Sequence, residues 1–393
     1  MKAKLLIAVA IMFCTSMAFA AGPIIIDHTC IDIYQVPIEY INAAKTNLHI
    51  GYGFTSHGSQ IVSGMSGLIG FMNTKTGYPQ NLFAYNSSGS GGALHLYEGS
   101  GYDEGGNLSL DAGYYSNWVD KTRAFLGAPN ASGRGSSRPE YNVIMWAWCG
   151  QLSGYSHDDL YNMYINDMNQ LEQDYFGVTF VYMTGHSDGS GLEGTLHNRN
   201  TEMRNYCIAN NKVLFDFYDI ECYNPDGVYF GDKYVTDECN YSGGNWAIDW
   251  QNAHTEGVDW YSCEPAHTQP IVGNMKAYAI WWLWARLAGW AGPEGTDTTD
   301  NNPSIVTNFA LQQNYPNPFN AGTTIQFSLP EKSWVSLTVY NLKGQVVQTP
   351  LQGTRTAGNH SITLAMNDLP SGIYYYTLQA GKVSQTRKFT LIK

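Results

Sequence analysis

A serine on a turn between two regular segments is the first residue of this sequence that is suited to catalysis. Ser56 follows an apolar, strand-like run and lies within TSHGSQ (residues 55–60), which leads directly into a helical pattern. Such a turn exposes the hydroxyl, and the N-terminus of the following helix stabilises negative charge that develops nearby. We therefore predict Ser56 as the nucleophile of a hydrolase. The competing interpretation is a helix N-cap, which the same position favours.

A histidine far along the chain can supply the matching base. His267 lies in a loop just before a long helical pattern, and Glu264 lies three residues before it. A carboxylate at this spacing can hold one imidazole nitrogen, fix the tautomer and stabilise the charged ring. We predict His267 as the general base and Glu264 as the acid that orients it. An ordinary surface histidine is the competing interpretation.

Polar groups also follow a second apolar run, at residues 141–148, where the chain continues as Cys149, Gly150 and Gln151. A glycine lets the backbone approach a ligand, and an amide side chain can donate a hydrogen bond to an oxyanion. We predict Gly150 and Gln151 as the groups that stabilise the oxyanion. Cys149 is a conceivable nucleophile, but a cysteine that continues a core strand is more often a small buried apolar residue.

Residues 185–189, GHSDG, match the G-x-S-x-G nucleophile elbow and make Ser187 an alternative nucleophile. The serine of an elbow leads straight into a helix, whereas helical periodicity resumes here only near Asn198. The competing interpretation is a glycine-rich loop that borders the same cleft, where His186 and Asp188 would contact substrate.

Five apolar runs of strand length alternate with helical patterns and must position these groups. The runs cover residues 47–54, 81–85, 141–148, 177–184 and 212–219. Buried strands that alternate with helices indicate a parallel sheet with helices on both faces. We predict an α/β fold: a flavodoxin-like three-layer α/β/α domain with a five-stranded parallel sheet. In such folds ligands bind outside the carboxyl ends of the strands, where the segments above lie.

The order of the three segments resembles the SGNH/GDSL hydrolase family. In that resemblance TSHGSQ is the nucleophile block, WCGQ stands at the Gly-x-Asn block and EPAH is the acid-x-x-histidine block. Gln151 stands where the family has asparagine, and Glu264 replaces the usual aspartate. The resemblance implies a serine esterase that needs no metal or organic cofactor.

The resemblance and the many aromatic residues favour O-acetyl groups of a polysaccharide as the substrate, because Tyr and Trp can form platforms for sugar rings. A non-catalytic carbohydrate- or surface-binding protein on the same scaffold is the alternative class. A net charge of −12 argues against a nucleic-acid partner. No apolar run predicts a transmembrane segment.

The N-terminus predicts a signal peptide at residues 1–20. Lys2 and Lys4 precede an apolar stretch at residues 5–13, and Ala-Phe-Ala at residues 18–20 provides a cleavage site. The hydrolase domain then covers residues 21–293. It keeps six cysteines, and their number permits disulfides without fixing the pairing.

Composition changes across residues 294–305, which predict a linker because they lack aromatic residues and periodicity. From residue 306 onward there are seven basic and two acidic residues, whereas residues 21–305 have twelve basic and 31 acidic residues. Short runs of alternating apolar and polar residues follow, separated by turn signals. They predict a small Ig-like β-sandwich at residues 306–393.

This C-terminal region resembles the type A sorting domain of the type IX secretion system. The resemblance rests on LQQNYPNPFNAGTTIQFSLP, VYNLKGQVV, AGNH, LPSGIYYYTLQAG and TRKFTLIK, which occur in that order. It implies export across the outer membrane in the Bacteroidota and their relatives, followed by secretion or attachment to the cell surface. The type IX machinery is then a partner of the chain.

Overall fold

The computed structural model describes residues 22–100, 107–114, 117–293, 309–311, 313–314, 317–320, 322–329, 332–355, 358–366, 369–381 and 383–392. The predicted signal peptide at residues 1–20 and the predicted linker at residues 294–305 lie outside the described residues. Two compact units divide between Trp290 and Ala291. Among the helices described, none is long and apolar enough to cross a membrane.

A seven-stranded sheet forms the centre of the first unit, and all its neighbouring strands run parallel. In chain order the strands are β1 (Ile24–Ile26), β2 (His49–Phe54), β3 (Tyr85–Asn86), β4 (Leu94–Ser100), β5 (Val143–Trp146), β6 (Thr179–Met183) and β7 (Val213–Phe215). Their order across the sheet is β1-β7-β6-β5-β2-β4-β3. The α/β class is confirmed.

The predicted number of five strands is wrong, because β1 and β4 join the sheet as well. The three residues of β1 are too few to show any periodicity, and they pair with β7 at one edge. β4 lies in a glycine-rich stretch whose composition indicates a loop, yet it pairs with β2 from His95 to Ser100. Pairing with a neighbouring strand therefore decides both elements.

Helices lie between the strands of this sheet and after its last strand, β7. They are α1 (Ile38–Asn47), α2 (Ser59–Asn73), α3 (Asn117–Leu126), α4 (His157–Leu160), α5 (Asn166–Asp174), α6 (Thr195–Ala209), α7 (Phe217–Glu221), α8 (Trp246–Ala253) and α9 (Pro270–Leu287). Helix α9 packs against α1, α2, α7 and α8. Its tryptophans Trp281, Trp282 and Trp284 are buried, as its apolar composition on all sides predicts.

Helices α2 and α9 approach each other so closely that Gly64 tolerates no side chain. A Cβ atom at this position would lie 1.9 Å from the carbonyl oxygen of Gly273. Gly64→Ala is therefore expected to lower the free energy of unfolding by about 1–3 kcal/mol through overpacking. Urea denaturation followed by tryptophan fluorescence measures it, because ten of the eleven tryptophans lie in this unit.

Gly70 of the same helix is the matched control. It is exposed, and a Cβ atom there would meet nothing within 4 Å. Gly70→Ala is expected to raise the free energy of unfolding by about 0.5–1 kcal/mol, because alanine loses less backbone entropy in a helix. Equal effects of the two substitutions would contradict the close approach of α2 and α9.

The second unit consists of two antiparallel sheets. One contains β10 (Ala310–Leu311), β11 (Gly322–Leu329) and β14 (Gly358–Ala365), and the other contains β12 (Ser333–Tyr340), β13 (Val346–Arg355), β15 (Gly372–Ala380) and β16 (Val383–Leu391). The short hairpin β8 (Asn240–Tyr241) and β9 (Gly244–Asn245) belongs to the first unit. Both antiparallel sheets contribute to one core, in which Ile325 and Phe327 belong to the same apolar cluster as Val335 and Tyr376. Alternating burial along β12 and β15 fits the alternation seen in the sequence.

Candidate active site

The loop after β2 is held in place by a buried carboxylate. Thr55 donates two hydrogen bonds to Asp111 Oδ1, from its backbone N–H at 2.9 Å and from its hydroxyl at 2.6 Å. Asp111 also accepts a hydrogen bond from Gln151 Nε2 at 3.4 Å. The loops after β2 and β5 are therefore connected through Asp111, and this connection brings Ser56 and His57 next to Cys149.

His57 bridges a thiol and a carboxylate. Its Nδ1 lies 3.3 Å from Cys149 Sγ, and its Nε2 lies 3.0 Å from Asp237 Oδ2. The His57 side chain is buried, whereas Cys149 is partly exposed. This is the order of nucleophile, base and orienting acid that a catalytic triad requires, with the nucleophile on the accessible side.

The charges of this cluster favour a thiolate next to an imidazolium ion. The hydrogen bond with His57 lowers the pKa of the Cys149 thiol, against burial, which raises it. Burial alone would lower the pKa of His57, but the hydrogen bonds with Asp237 and Cys149 raise it to about 9. A doubly protonated ring donates to both partners at once, so the ion pair satisfies both hydrogen bonds. A cysteine of this kind is reactive because the thiolate is the nucleophile.

Asp237 keeps the negative charge that this pair needs. Burial alone would raise the pKa of its carboxyl group, but the hydrogen bond with His57 and the nearby charges of His186 and His57 hold the pKa below its usual value. Asp237 belongs to the long loop between α7 and α8, and the pairing of Thr236 with Asp188 ties this segment to the loop after β6. Two loops that are distant in sequence therefore place the acid.

Two further histidines enclose the His57 ring. The ring of His186 stacks on one side at a centroid distance of 3.7 Å and an interplanar angle of 3°, and the ring of His267 stacks on His57 at 4.4 Å and 18°. Burial and the charge of His57 lower the pKa of His186. His267 has a φ of 61°, in the left-handed region that a non-glycine residue adopts only when its surroundings impose it. This conformation presents the His267 ring to His57.

The structure brings two members of the predicted triad to this place and leaves the third outside. Ser56 Oγ lies 3.6 Å from Cys149 Sγ, and no hydrogen bond in the described part of the chain joins it to a histidine. His267 stacks on His57. Glu264 is exposed, and no ion pair or hydrogen bond between described residues joins its carboxylate to His267. The catalytic roles of Ser56, His267 and Glu264 stay predictions.

Gln151 is occupied at both ends of its amide. Its Oε1 accepts a hydrogen bond from the Cys149 backbone N–H at 2.9 Å, while its Nε2 donates to Asp111. The side chain thus positions the backbone of the cysteine. Gly150 is exposed and begins a short 3₁₀-helix (Gly150–Gly154). A role for either residue in oxyanion stabilisation stays a prediction.

Ser187, the alternative nucleophile, points to a carboxylate. Its hydroxyl donates to Glu221 Oε2 at 3.0 Å and its backbone N–H donates to the same oxygen at 2.6 Å. The side chain is buried, and α6 begins only at Thr195. A nucleophile elbow needs a histidine hydrogen-bonded to the serine hydroxyl and a helix that begins directly after the serine, and these contacts supply neither.

Sequence reasoning did not assign His57 and Asp237 to the site. His57 directly follows Ser56, and a histidine on this turn is the one sequence signal that indicates it as a base. Asp237 lies in a long loop without periodicity, and no local pattern sets it apart from the other acidic residues there. Only the pairing of that loop with residues near Asp188 brings the carboxylate to the histidine.

His57, Asp237 and His267 offer nitrogen and oxygen atoms within 4.8 Å of one another, a spacing that also suits a metal ion. The 3.0 Å separation of His57 Nε2 and Asp237 Oδ2, however, is that of a direct hydrogen bond. A cation between the two atoms would have to break this bond. Direct hydrogen bonds thus hold this cluster together. The expectation that the site needs no cofactor stays a prediction.

Cys149 is expected to react first among the six cysteines of the described chain, all of which are free. Four of the others are buried, and burial raises the pKa of Cys263 to about 12. Iodoacetamide at neutral pH should alkylate Cys149 at least about tenfold faster than any other cysteine, because the thiolate is the reacting form. Peptide mapping by mass spectrometry measures the rates, and earlier modification of Cys263 would contradict the cluster.

Comparison with known proteins identifies the second unit. Residues 313–393 match the family described as Secretion system C-terminal sorting domain. This region is therefore a type IX sorting domain, as its motifs predicted, and the type IX machinery is its partner. The protein is exported to the cell surface or secreted.

The other comparisons leave the first unit without an assigned family. A comparison with curated proteins finds no relative. Among solved structures, the chain is similar to PorZ, an essential surface component of the type IX secretion system of Porphyromonas gingivalis, with 18% identity over 26% of this chain and 13% of that chain, at a TM-score of 0.16. The endo-β-1,4-mannanase of Thermotoga petrophila shows 9% identity over 64% of this chain and 47% of that chain, at a TM-score of 0.19.

A double mutant of the endo-β-1,4-mannanase of Cellulomonas fimi shows 11% identity over 77% of this chain and 54% of that chain, at a TM-score of 0.20. The chain spans less than two thirds of each of these structures. Similarities at TM-scores this low carry no argument about fold or function. The SGNH/GDSL resemblance of the first unit stays a prediction.

Proposed function

We propose that the protein is an exported ester hydrolase in which Cys149 is the nucleophile. One observation carries the proposal: His57 lies within hydrogen-bonding distance of both Cys149 Sγ and Asp237 Oδ2. The reaction class is the one that the sequence predicted, but the nucleophile is the thiol next to Ser56. Ser56, 3.6 Å from the sulfur, contributes a hydroxyl that donates to the thiolate.

The chemistry proceeds through an acyl-thioester. The Cys149 thiolate attacks the carbonyl carbon of the ester, and His57 passes its Nδ1 proton to the alkoxide as the C–O bond breaks. The neutral imidazole then removes a proton from water, and the resulting hydroxide attacks the thioester. Cleavage of the C–S bond releases the carboxylic acid and restores the thiolate and the imidazolium ion. Asp237 stabilises the imidazolium ion until His57 has passed its proton to the leaving alkoxide.

The order of the five inner strands supports a site at this place. Numbered in chain order among themselves, β2, β4, β5, β6 and β7 lie in the order 2-1-3-4-5, which is the flavodoxin-like order. Ligands in that topology bind at the switch point between the first and third of these strands, here β2 and β5. His57 follows β2 and Cys149 follows β5, so the cluster occupies this position.

An exposed aromatic residue supports a carbohydrate ester as the substrate class. Tyr234 lies three residues before Asp237, and 59% of its surface is exposed. The ring borders Gly191 in the loop after Ser187, where a Cβ atom would lie 2.7 Å from the ring. An exposed aromatic face on the loop that also carries Asp237 can stack on a sugar ring. We therefore keep O-acetylated polysaccharide as the proposed substrate.

Trapping of the acyl-enzyme tests this proposal. The purified protein is mixed with an activated acetyl ester and quenched in acid, and mass spectrometry locates the acetyl group. We expect it on Cys149, as a thioester that hydroxylamine removes at neutral pH. An acetyl group on Ser56 or Ser187, or an intact ester after prolonged incubation, would refute the proposal. The last result would favour a binding protein on a hydrolase-like scaffold.

A further inference from the structure

A fully buried ion pair lies beneath the histidines of the candidate site. Lys276 Nζ in α9 lies 2.6 Å from Glu221 Oε1 in α7, and both side chains are inaccessible to solvent. Lys276 also donates a hydrogen bond to Gln60 Oε1 in α2, and its ammonium group lies 3.2 Å from the centre of the Phe217 ring. Three helices therefore meet at one buried lysine.

Stability does not explain this arrangement. Two charges that leave water lose more solvation energy than a single ion pair usually returns, and apolar replacements of buried pairs are often neutral or stabilising. Burial lowers the pKa of Lys276 to about 8, an effect that Glu221 offsets only in part. Keeping the lysine charged in this buried position is thus energetically unfavourable. The hydrogen bonds of the network indicate the role of this charge.

The network ends at residues next to the two histidines that stack on His57. Glu221 accepts two hydrogen bonds from Ser187, the residue after His186. On the other side, Gln60 Nε2 donates at 2.6 Å to the carbonyl oxygen of Ala266, the residue before His267. Because Lys276 bonds to both Glu221 and Gln60, it fixes the separation of the two stacking rings.

We propose that Lys276, Glu221 and Gln60 are positioning residues that hold His186 and His267 against the two faces of His57 and so keep the Cys149 thiolate in its ion pair. This inference rests on the proposed function. The charged and titratable groups around His57 are Cys149, Asp237, His186, His267, Glu221 from α7, and Asp111, whose charge interacts with both His57 and Cys149. The negative charge of Glu221 adds to the stabilisation of the imidazolium ion.

The test is the pH dependence of Cys149 alkylation, which needs no substrate. In the double variant Lys276→Met with Glu221→Gln, the rate at neutral pH is expected to fall about tenfold or more, because the thiol returns towards an ordinary pKa. The melting temperature is expected to stay the same or to rise, because the buried charges are gone and the amide can still accept from Ser187. If the pair were purely structural, the double variant would have a lower melting temperature and an unchanged pH profile.

Two further variants keep the test decisive. Gln60→Leu preserves the Lys276–Glu221 ion pair and removes the hydrogen bonds of Gln60 to Lys276 and Ala266, and we expect a smaller fall in the alkylation rate. Arg123→Met with Asp174→Asn removes a more exposed ion pair whose partners lie 2.6 Å apart, and should change nothing. Wild-type profiles in the double variant and in Gln60→Leu would overturn the inference. A wild-type Cys149 no more reactive than an ordinary thiol would overturn the proposed function itself, and this inference with it.

Discussion

Replacing Cys149 with alanine is expected to lower the turnover of a small acetyl ester by about a thousandfold or more, because the thiolate forms the covalent intermediate. His57→Ala should cost about as much, and the double variant should be hardly worse than either single one, since residues that act as a unit fail together. Steady-state kinetics with purified variants measure these losses. Circular dichroism spectra that match the wild type would show that the loss concerns chemistry rather than folding.

Ser56→Ala and Ser187→Ala are the matched controls for this experiment. We expect Ser56→Ala to lower the rate by about tenfold, because one hydrogen bond to the thiolate is lost while the nucleophile remains. Ser187→Ala should have a small effect, since its hydroxyl contacts only Glu221 among the groups of the site. A loss of a thousandfold in Ser56→Ala, with Cys149→Ala still active, would return the nucleophile to the serine.

Removal of residues 306–393 is expected to abolish delivery to the cell surface in a host with a type IX secretion system. The sorting domain matches residues 313–393, and this family marks cargo for that machinery. The truncated chain should keep its alkylation of Cys149 and its ester hydrolysis, because every residue of the candidate site lies in the first compact unit. Surface labelling of intact cells, with immunoblots of the cell fractions, measures delivery.

The isolated truncated protein provides the control within the same experiment. Its urea denaturation, followed by tryptophan fluorescence, should match that of the first unit in the full-length chain. Normal surface display of the truncated chain would show that the sorting signal lies elsewhere. Loss of hydrolysis together with loss of display would show that the first unit does not function without the second.

The fold class followed from the sequence because buried strands and helices have different periods. The apolar runs before Ser56 and Cys149 and the helical pattern after His267 are long enough for side-chain burial to repeat several times, so their type is set locally. Strands β1 and β4 could not be predicted from the sequence. A strand of three residues, or a glycine-rich strand, becomes a strand because it pairs with its neighbour in the sheet. The sorting domain could be predicted for another reason, because a series of motifs in a fixed order specifies it.

The sequence by itself determined that an α/β domain is joined to a sorting domain for export, and it predicted a site at the carboxyl ends of the strands. It also brought Ser56, Cys149 and His267 into consideration, because each lies directly beside a long regular element. The tertiary structure alone decided their partners. Asp237 and Glu221 reach the histidines through loop pairing and helix packing between residues far apart in the chain, and the protonation of His57 depends on these contacts. Electrostatic interactions act through space, so the residue types along the chain could not assign the nucleophile, whereas the contacts of His57 favour Cys149.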